Sequence, residues 1–434
     1  MALSRVLRLR TAVSTSAGLA SAAINFLACV EIAEYAGGQS AWLALVVAGI
    51  LIVFSAANFA ELTTLYPSSA ALRVWTRRGM SNRISMMISL LYASTVIFVI
   101  AADAFVVGHA FQSAVPQIPG LLWVILLLAA MTWTNMRGIK IAGRVQDANA
   151  LILLATLVAF SLVVIAHIPP AIPNLFHMGH HWFEAVAVGV FIYVGFEWVT
   201  PLAEEFSNPS AVRRGMFIAL GLIAVAFGLF SVALTSVFPS SPGLVHNLSP
   251  QLVVGMRALG PFGYWWMVLV TLTTAISTFN GGLSTASRFL YALAREKVLP
   301  KWYTQLNGRF VPVNAVFFLS VTSLVLALIV YLTNGYMVLI NAGAGVESLM
   351  YALSSWLVIR LRLREPDRAR DFRVWGVPWV PAVAALIFVL LAIGALITPV
   401  SPQGIPLSLI FVLGLSASAV GYVLVIVPRL NSRR

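Results

Sequence analysis

Charge is what this chain of 434 residues has least of: only 9% of its side chains are Asp, Glu, Lys or Arg, with 14 acids against 27 bases. A soluble domain uses roughly 25% charged residues to solvate its exterior, so an ordinary water-soluble globule is excluded. Cysteine is nearly absent; the single Cys29 excludes a disulfide framework and any cysteine-based metal site. No basic run is long enough, or backed by a soluble domain, to turn the net charge of +13 into a nucleic-acid footprint. What is plentiful is apolar: 60% hydrophobic residues and a mean hydropathy of +0.94. Lipid is the solvent that suits such a chain. A barrel is excluded because its strands alternate around a polar lumen, which leaves an all-α membrane protein.

Spanning helices need about 20 apolar residues each. Runs of that kind lie at 11–36, 41–65, 83–112, 120–136, 146–168 and 181–203, then at 215–238, 252–286, 311–333, 336–362, 377–398 and 405–428. These are twelve transmembrane helices, separated by Pro- and Gly-bearing connections such as 113–119, 167–173 and 239–250. Residues 11–22 imitate a secretory signal behind Arg5, Arg8 and Arg10, and 26–29 hints at a lipoprotein cleavage box. Thr15, Ser16, Ser21 and Asn25 interrupt the apolar core a signal needs, so the stretch is kept as the first span.

The cations set the orientation. They precede the first span, follow every even-numbered span, and close the chain at Arg429, Arg433 and Arg434; Arg257 alone falls on the other side. Short loops rich in Lys and Arg stay cytoplasmic, which puts both termini inside, across a bacterial-type inner (plasma) membrane. His109, His167, His177, His180, His181 and His246 gather at the outer face. His177, His180 and His181 with Glu184 are the only grouping that could serve a membrane-embedded metallo-hydrolase, yet no His-Glu-x-x-His or Gly-x-Ser-x-Gly pattern accompanies them. The sequence gives no reason to expect a cofactor.

Ionisable groups at membrane depth cost about 2.5–3.5 kcal/mol each on insertion scales and usually line a pathway. Glu31, Glu34, Asp103, Glu197 and Glu347 are the candidates, and no base stands at comparable depth. A net acidic interior favours a cationic guest, a proton or an ammonium. Gly195 and Pro201 flank Phe196, Glu197 and Trp198, and can interrupt the sixth span; Ser21, Ala22, Ala23, Ile24 and Asn25 form a weak spot of small and polar residues in the first. Interrupted spans at corresponding positions of two halves are the best sequence pointer to a transport site.

Several motifs occur in an order and spacing that together resemble one family. They are 60-AELTTLYP-67, 135-NMRGIK-140 with Val145 and Gln146, 195-GFE-197, 204-EEFSNP-209, 287-SRFLYALAR-295, 299-LPKW-302, 311-VPVNA-315, 364-REP-366 and 372-FRV-374. Over essentially its whole length the chain resembles the amino acid–polyamine–organocation superfamily of secondary transporters. That resemblance implies a leucine-transporter-type fold with a 5+5 inverted repeat. A cytoplasmic N-terminus (1–10) precedes a first repeat at 11–170; a second repeat follows at 171–362, and two peripheral helices with the C-terminus at 363–434. It also implies a solute held between the breaks of helices 1 and 6, with alternating access.

The departures bear on substrate. The family's first break commonly reads Gly-x-Gly-Ile, whose bare amides receive a substrate carboxylate; here the aligned residues are Ser21, Ala22, Ala23 and Ile24, with Asn25 where an aromatic is usual. Added Cβ atoms crowd backbone approach, while Ser21 or Asn25 offers a replacement donor. The lysine that stands in for sodium in helix 5 of some members is missing from 149–154. The expectation is uptake or exchange of an amino acid or small amine or polyamine, with the balance toward the amine. The expected substrate-binding residues are Ser21, Ala22, Ala23, Ile24, Asn25, Asp103, Phe191, Tyr193, Gly195, Phe196, Glu197 and Trp198, the aromatics among them serving as cation–π walls. Asp103, Glu197 and Glu347 are the candidates for proton coupling. A solute sensor without flux is the other reading the sequence leaves open.

Overall fold

The computed structural model describes residues 5–208, 210–239, 244, 247–400 and 403–432; Pro209, His246, Arg433 and Arg434 lie outside the described residues. The described secondary structure is helical apart from one isolated bridge, between Leu7 and Phe206. This follows from the solvent: in lipid every backbone polar group must be satisfied within the span.

The elements run α1 (Leu9–Ala20), α2 (Asn25–Ala36), α3 (Ala41–Leu65), α4 (Leu72–Gly79), α5 (Asn82–Ala114), α6 (Gly120–Met136), α7 (Ile139–His167) and α8 (Trp182–Phe191). After α8 comes a 3-10 segment, Phe196–Glu205. The chain continues through α9 (Ser210–Val237), α10 (Pro250–Arg295), α11 (Val313–Thr333), α12 (Tyr336–Arg364), α13 (Trp379–Ile397), α14 (Leu407–Gly421) and α15 (Val427–Ser432). Among the described residues ten helices are long and apolar enough to cross a membrane, or eleven when α1 and α2, bent by 62° at their junction, count as one. The apolar α6 is shorter, at 17 residues, about 26 Å of helix at 1.5 Å per residue.

The eighth run, expected as one span at 252–286, differs. The helix breaks at Leu259–Gly260, with Gly260 at φ 62° and Pro261 unable to donate an amide, and resumes through Arg295. The stretch before the break is thus a short separate helix. The cation-rich connection after α3 is not a plain loop either: it carries α4, with Arg77 and Arg78 in its last turn, where cations suit the helix dipole. Arg288, expected in a connection, lies inside α10 with no exposure and pairs with an equally buried Glu205 at 3.3 Å. The interior is therefore not purely acidic.

Lipid offers no hydrophobic force between helices, so close approach depends on small residues. α1 meets α9 where Gly215 faces Ala12: a Cβ at Gly215 would lie 2.4 Å from that of Ala12. α8 meets α3 where a Cβ at Gly189 would lie 3.0 Å from that of Ala48. α1, α2, α3, α8 and α9 pack on one another, as do α5, α6, α10 and α11, while α7 touches both sets and α12 bridges α3, α5 and α13. Large side chains such as Leu386, Leu390 and Leu413 face outward from α13 and α14.

Candidate functional site

The break between α1 and α2 contains neither Gly nor Pro, so tertiary contacts must hold it open. Ser21 leaves helical geometry at φ −100°, ψ 48°, and the first turn of α2 closes through tight bonds, Asn25 N to Ala22 O at 3.0 Å and Phe26 N to Ala23 O at 3.1 Å. Two side chains finish it. Asp103, from the middle of α5 and fully buried, accepts from the Ile24 amide at 3.2 Å through Oδ1. Asn25 Nδ2 donates to Ala20 O, the frayed end of α1, at 2.6 Å, and to Ile192 O, beyond the end of α8, at 3.2 Å.

The second break is made locally. Gly195 sits at φ 108°, a region open to glycine alone without strain, and turns α8 into the 3-10 segment. The two breaks touch: a Cβ at Gly195 would lie 3.2 Å from Leu19 Cδ2 and 3.4 Å from Ala20 N. The convergence expected of the first and sixth spans is present.

Below the breaks, toward the end of the bundle that carries the N-terminus, Glu197 and Glu347 are buried. Glu197 Oε2 accepts from the Tyr351 hydroxyl at 2.7 Å and from Gly195 N at 3.3 Å. Glu347 Oε1 accepts from Thr95 Oγ1 and, at 2.9 Å, from Trp198 Nε1. The remaining oxygens, Glu197 Oε1 and Glu347 Oε2, are buried and have no hydrogen-bond partner among the described residues.

Above the breaks a cavity of about 970 Å³ extends between α2, α5, α8, α12 and α13. Its floor includes Ala22, Ile24 and Asn25; Phe98, Phe191, Ile340 and Leu391 give it an apolar wall, and Glu31, Glu34, Tyr35 and Glu184 stand along it. Of the residues expected to bind substrate, Ala22, Ile24, Asn25 and Phe191 line this space. Tyr193 turns away, its hydroxyl donating to Leu45 O at 2.8 Å. Phe196 packs on Phe59 and Tyr351, and Trp198 stacks on Tyr92 at 4.2 Å. Ser21, whose hydroxyl has no partner among the described residues, and Ala23 are buried behind the floor, as are Asp103, Gly195, Glu197 and Glu347. Asn25, expected as a donor to a substrate carboxylate, donates to backbone carbonyls instead.

At the N-terminal end the path is closed. Val6 N and Leu7 N donate to Glu205 O at 3.0 Å, and Ser207 N to Leu7 O at 3.1 Å. Asp147 on α7 accepts from Ser14 and Thr11 of α1 and lies 3.4 Å from Arg10. Glu61 at the end of α3 accepts from Arg362 at 2.6 Å and from Val374 N, with Arg370 at 3.2 Å. Sequence reasoning missed these closures; the i, i+3 and i+7 spacing of Thr11, Ser14 and Gly18 was the only trace, and Gly18 packs on Gln146, one residue before Asp147. His181 sits in the open beside Glu184 at 3.2 Å, and among the described residues no group of three or more His, Cys, Asp or Glu converges to hold a metal ion.

Broken helices meeting between a one-sided cavity and a stitched opposite end define a multi-pass membrane permease rather than an enzyme. The chain belongs to the amino acid permease family, whose model matches residues 12–428. It is 25% identical over 365 residues to the gamma-aminobutyric acid permease of Bacillus subtilis (strain 168), covering 79% of this chain and 77% of that protein. It is 24% identical over 403 residues to the branched-chain amino acid permease of the same organism, covering 82% and 81%. A solved structure of a mutant manganese transporter from Eremococcus coleocola shares the fold, with a TM-score of 0.66 at 13% identity, over 98% of this chain and 95% of that one.

Proposed function

We propose that this permease carries out secondary active transport, by uptake or exchange, of a small solute bearing an amine, with an amine or polyamine favoured over a zwitterionic amino acid. The observation that carries the choice is the Asp103 carboxylate at the Ile24 amide. The N-terminus of a half-helix is an anion site, and here the protein fills it with a carboxyl of its own. Both named relatives take solutes that possess a carboxylate; a guest here finds that position already taken. Ser21, Asp103 and Glu197 of the substrate-binding set then act as framework, as does the Asn25 amide nitrogen, while Ala22, Ile24, Asn25 and Phe191 line the space for the guest.

The wider architecture we read as twelve spans, α1 with α2 forming the first, α8 with the 3-10 segment the sixth, and α6 the short fourth. They divide into repeats at 11–170 and 171–362 with two peripheral helices at 363–434. Both termini are read as cytoplasmic in the plasma membrane, which makes the cavity outward-facing and the stitched end the inner gate. Rocking of α1, α2, the sixth span and α9 against the rest gives alternating access. The buried Glu197 and Glu347, lying between cavity and gate with one unpartnered oxygen each among the described residues, support proton coupling, with Asp103 as a third candidate.

The test is uptake of labelled amines, polyamines and amino acids into proteoliposomes with and without a pH gradient. Accumulation of an amine that its parent amino acid inhibits weakly is the expected result. Movement of neither class overturns transport, and binding without accumulation would make the chain a sensor.

A further inference from the structure

We propose that solute recognition has moved out of the helix breaks, and that Glu31 anchors the ammonium of a single-headed amine whose apolar body fills the cavity; this rests on the transport reading above. Broken helices present two kinds of unpaired backbone, amides at the start of the half-helix and carbonyls at the ends that precede it. In this chain both kinds are taken. Asp103 occupies the amide end. Asn25 occupies the carbonyl ends of both breaks at once, with one nitrogen bonded to Ala20 O and Ile192 O. A carboxylate and an amide N–H donor therefore stand where a zwitterion's two heads would bond, and both side chains are at least nine-tenths buried. Asn25 and Asp103 are specificity determinants by exclusion.

The cavity in front of them is large enough for a small organic guest, which needs about 300–1,000 Å³, and its walls are mostly hydrocarbon. An apolar amine entering it loses hydration on its ammonium and needs an anion. Glu31 supplies one. It is half-buried, faces the cavity about two turns above the break on α2, and none of the described residues lining the cavity is a Lys, Arg or His that could pair with it. The titratable groups around it are Glu34 on its own helix, Tyr35, Tyr336 on α12, and Glu184 on α8, the last paired with the exposed His181 that packs beside Tyr35; among these the unpaired carboxylate of Glu34 adds to the attraction for a cation. Glu34 is exposed at the rim and Glu184 lies on α8's first turn, so Glu31 is the carboxylate nearest the apolar wall. Asn341 brings an amide side chain from α12 to the lining of the same space.

The experiment compares equilibrium binding of phenethylamine, hexylamine, phenylalanine and the uncharged 2-phenylethanol to full-length protein in nanodiscs, for wild type, Glu31→Gln and Glu34→Gln. Expected are amines bound at least about tenfold more tightly than phenylalanine, and a loss of at least about tenfold in amine affinity for Glu31→Gln. Unchanged 2-phenylethanol binding shows that the Glu31→Gln cavity is intact, and Glu34→Gln changes amine affinity by under about threefold. Phenylalanine binding as well as the amines, or amine affinity indifferent to Glu31→Gln, overturns the inference. If wild type binds no amine yet accumulates amino acids in proteoliposomes, only this inference falls; if it moves nothing, the transport reading falls with it.

Discussion

Asp103 and Ile24 are 79 positions apart, yet the Asp103 carboxylate caps the Ile24 amide at 3.2 Å and so lets α2 begin in mid-membrane. A cap of this kind is worth about 0.5–2 kcal/mol. Asp103→Ala is expected to lower unfolding stability by that amount in detergent, and Asp103→Asn by less, because Asn keeps an oxygen acceptor. The alanine variant also frees the Ile24 amide, so inhibition of amine uptake by parent amino acids should rise. Thermal unfolding and competition assays on the two variants read both effects; an alanine variant as stable as wild type removes the capping role.

Gly195 turns the sixth span at φ 108° against Leu19 and Ala20. Gly195→Ala adds about 1–2 kcal/mol of backbone strain and pushes a methyl into the junction of the two breaks. The expected outcome is protein that reaches the membrane but transports several-fold more slowly. Initial uptake rates, normalised to protein inserted, measure it.

Arg288 and Glu205 form a pair with no exposure on either side, joining α10 to the end of the 3-10 segment. Removing one partner strands a buried charge and costs about 3–5 kcal/mol. Arg288→Met alone should therefore destabilise strongly, whereas Arg288→Met with Glu205→Gln should recover part of the loss. A double-mutant cycle by thermal unfolding gives the coupling, and additive losses would mean the pair is not formed.

Glu197 and Glu347 are buried carboxyls, each with one oxygen that has no hydrogen-bond partner among the described residues. Glu347→Gln keeps donors and acceptors of similar shape but removes one proton site. If the pair couples transport to protons, this variant should still exchange solute across the membrane while losing accumulation driven by a pH gradient. Uptake at several external pH values separates the two: wild type should vary with pH and the variant should be flat. A variant that retains gradient-driven accumulation places coupling elsewhere.

Tyr66 and Glu365 tie the end of α3 to the end of α12 outside the spans. Burial alone would raise the Glu365 carboxyl, but the Tyr66 hydroxyl, Arg368 and Arg78 outweigh it and hold it below its ordinary range. A folded-state value below the unfolded one means that the contact stabilises above the ordinary carboxylate range and is lost as pH falls through the lowered value. Tyr66→Phe should therefore flatten the acid limb of the stability profile, read from unfolding between neutral and strongly acidic pH.

Much of this protein was legible in its residues before any coordinates. The scarcity of charge and the length of the apolar runs dictated a helical membrane protein, because lipid leaves a backbone few other choices. Gly195 and the small residues at 21–25 marked where two helices would give way, since both signals are local. What the residues could not disclose was who fills the gaps: Asp103 reaches Ile24, Asn25 reaches Ile192, and Arg288 meets Glu205 only through packing between distant helices. Tyr193 and Trp198 read as cavity walls in the sequence yet point elsewhere, because an aromatic side chain at a break has several directions open to it. Only the crowding of neighbouring helices selects among them, and that selection decided which side chains line the cavity.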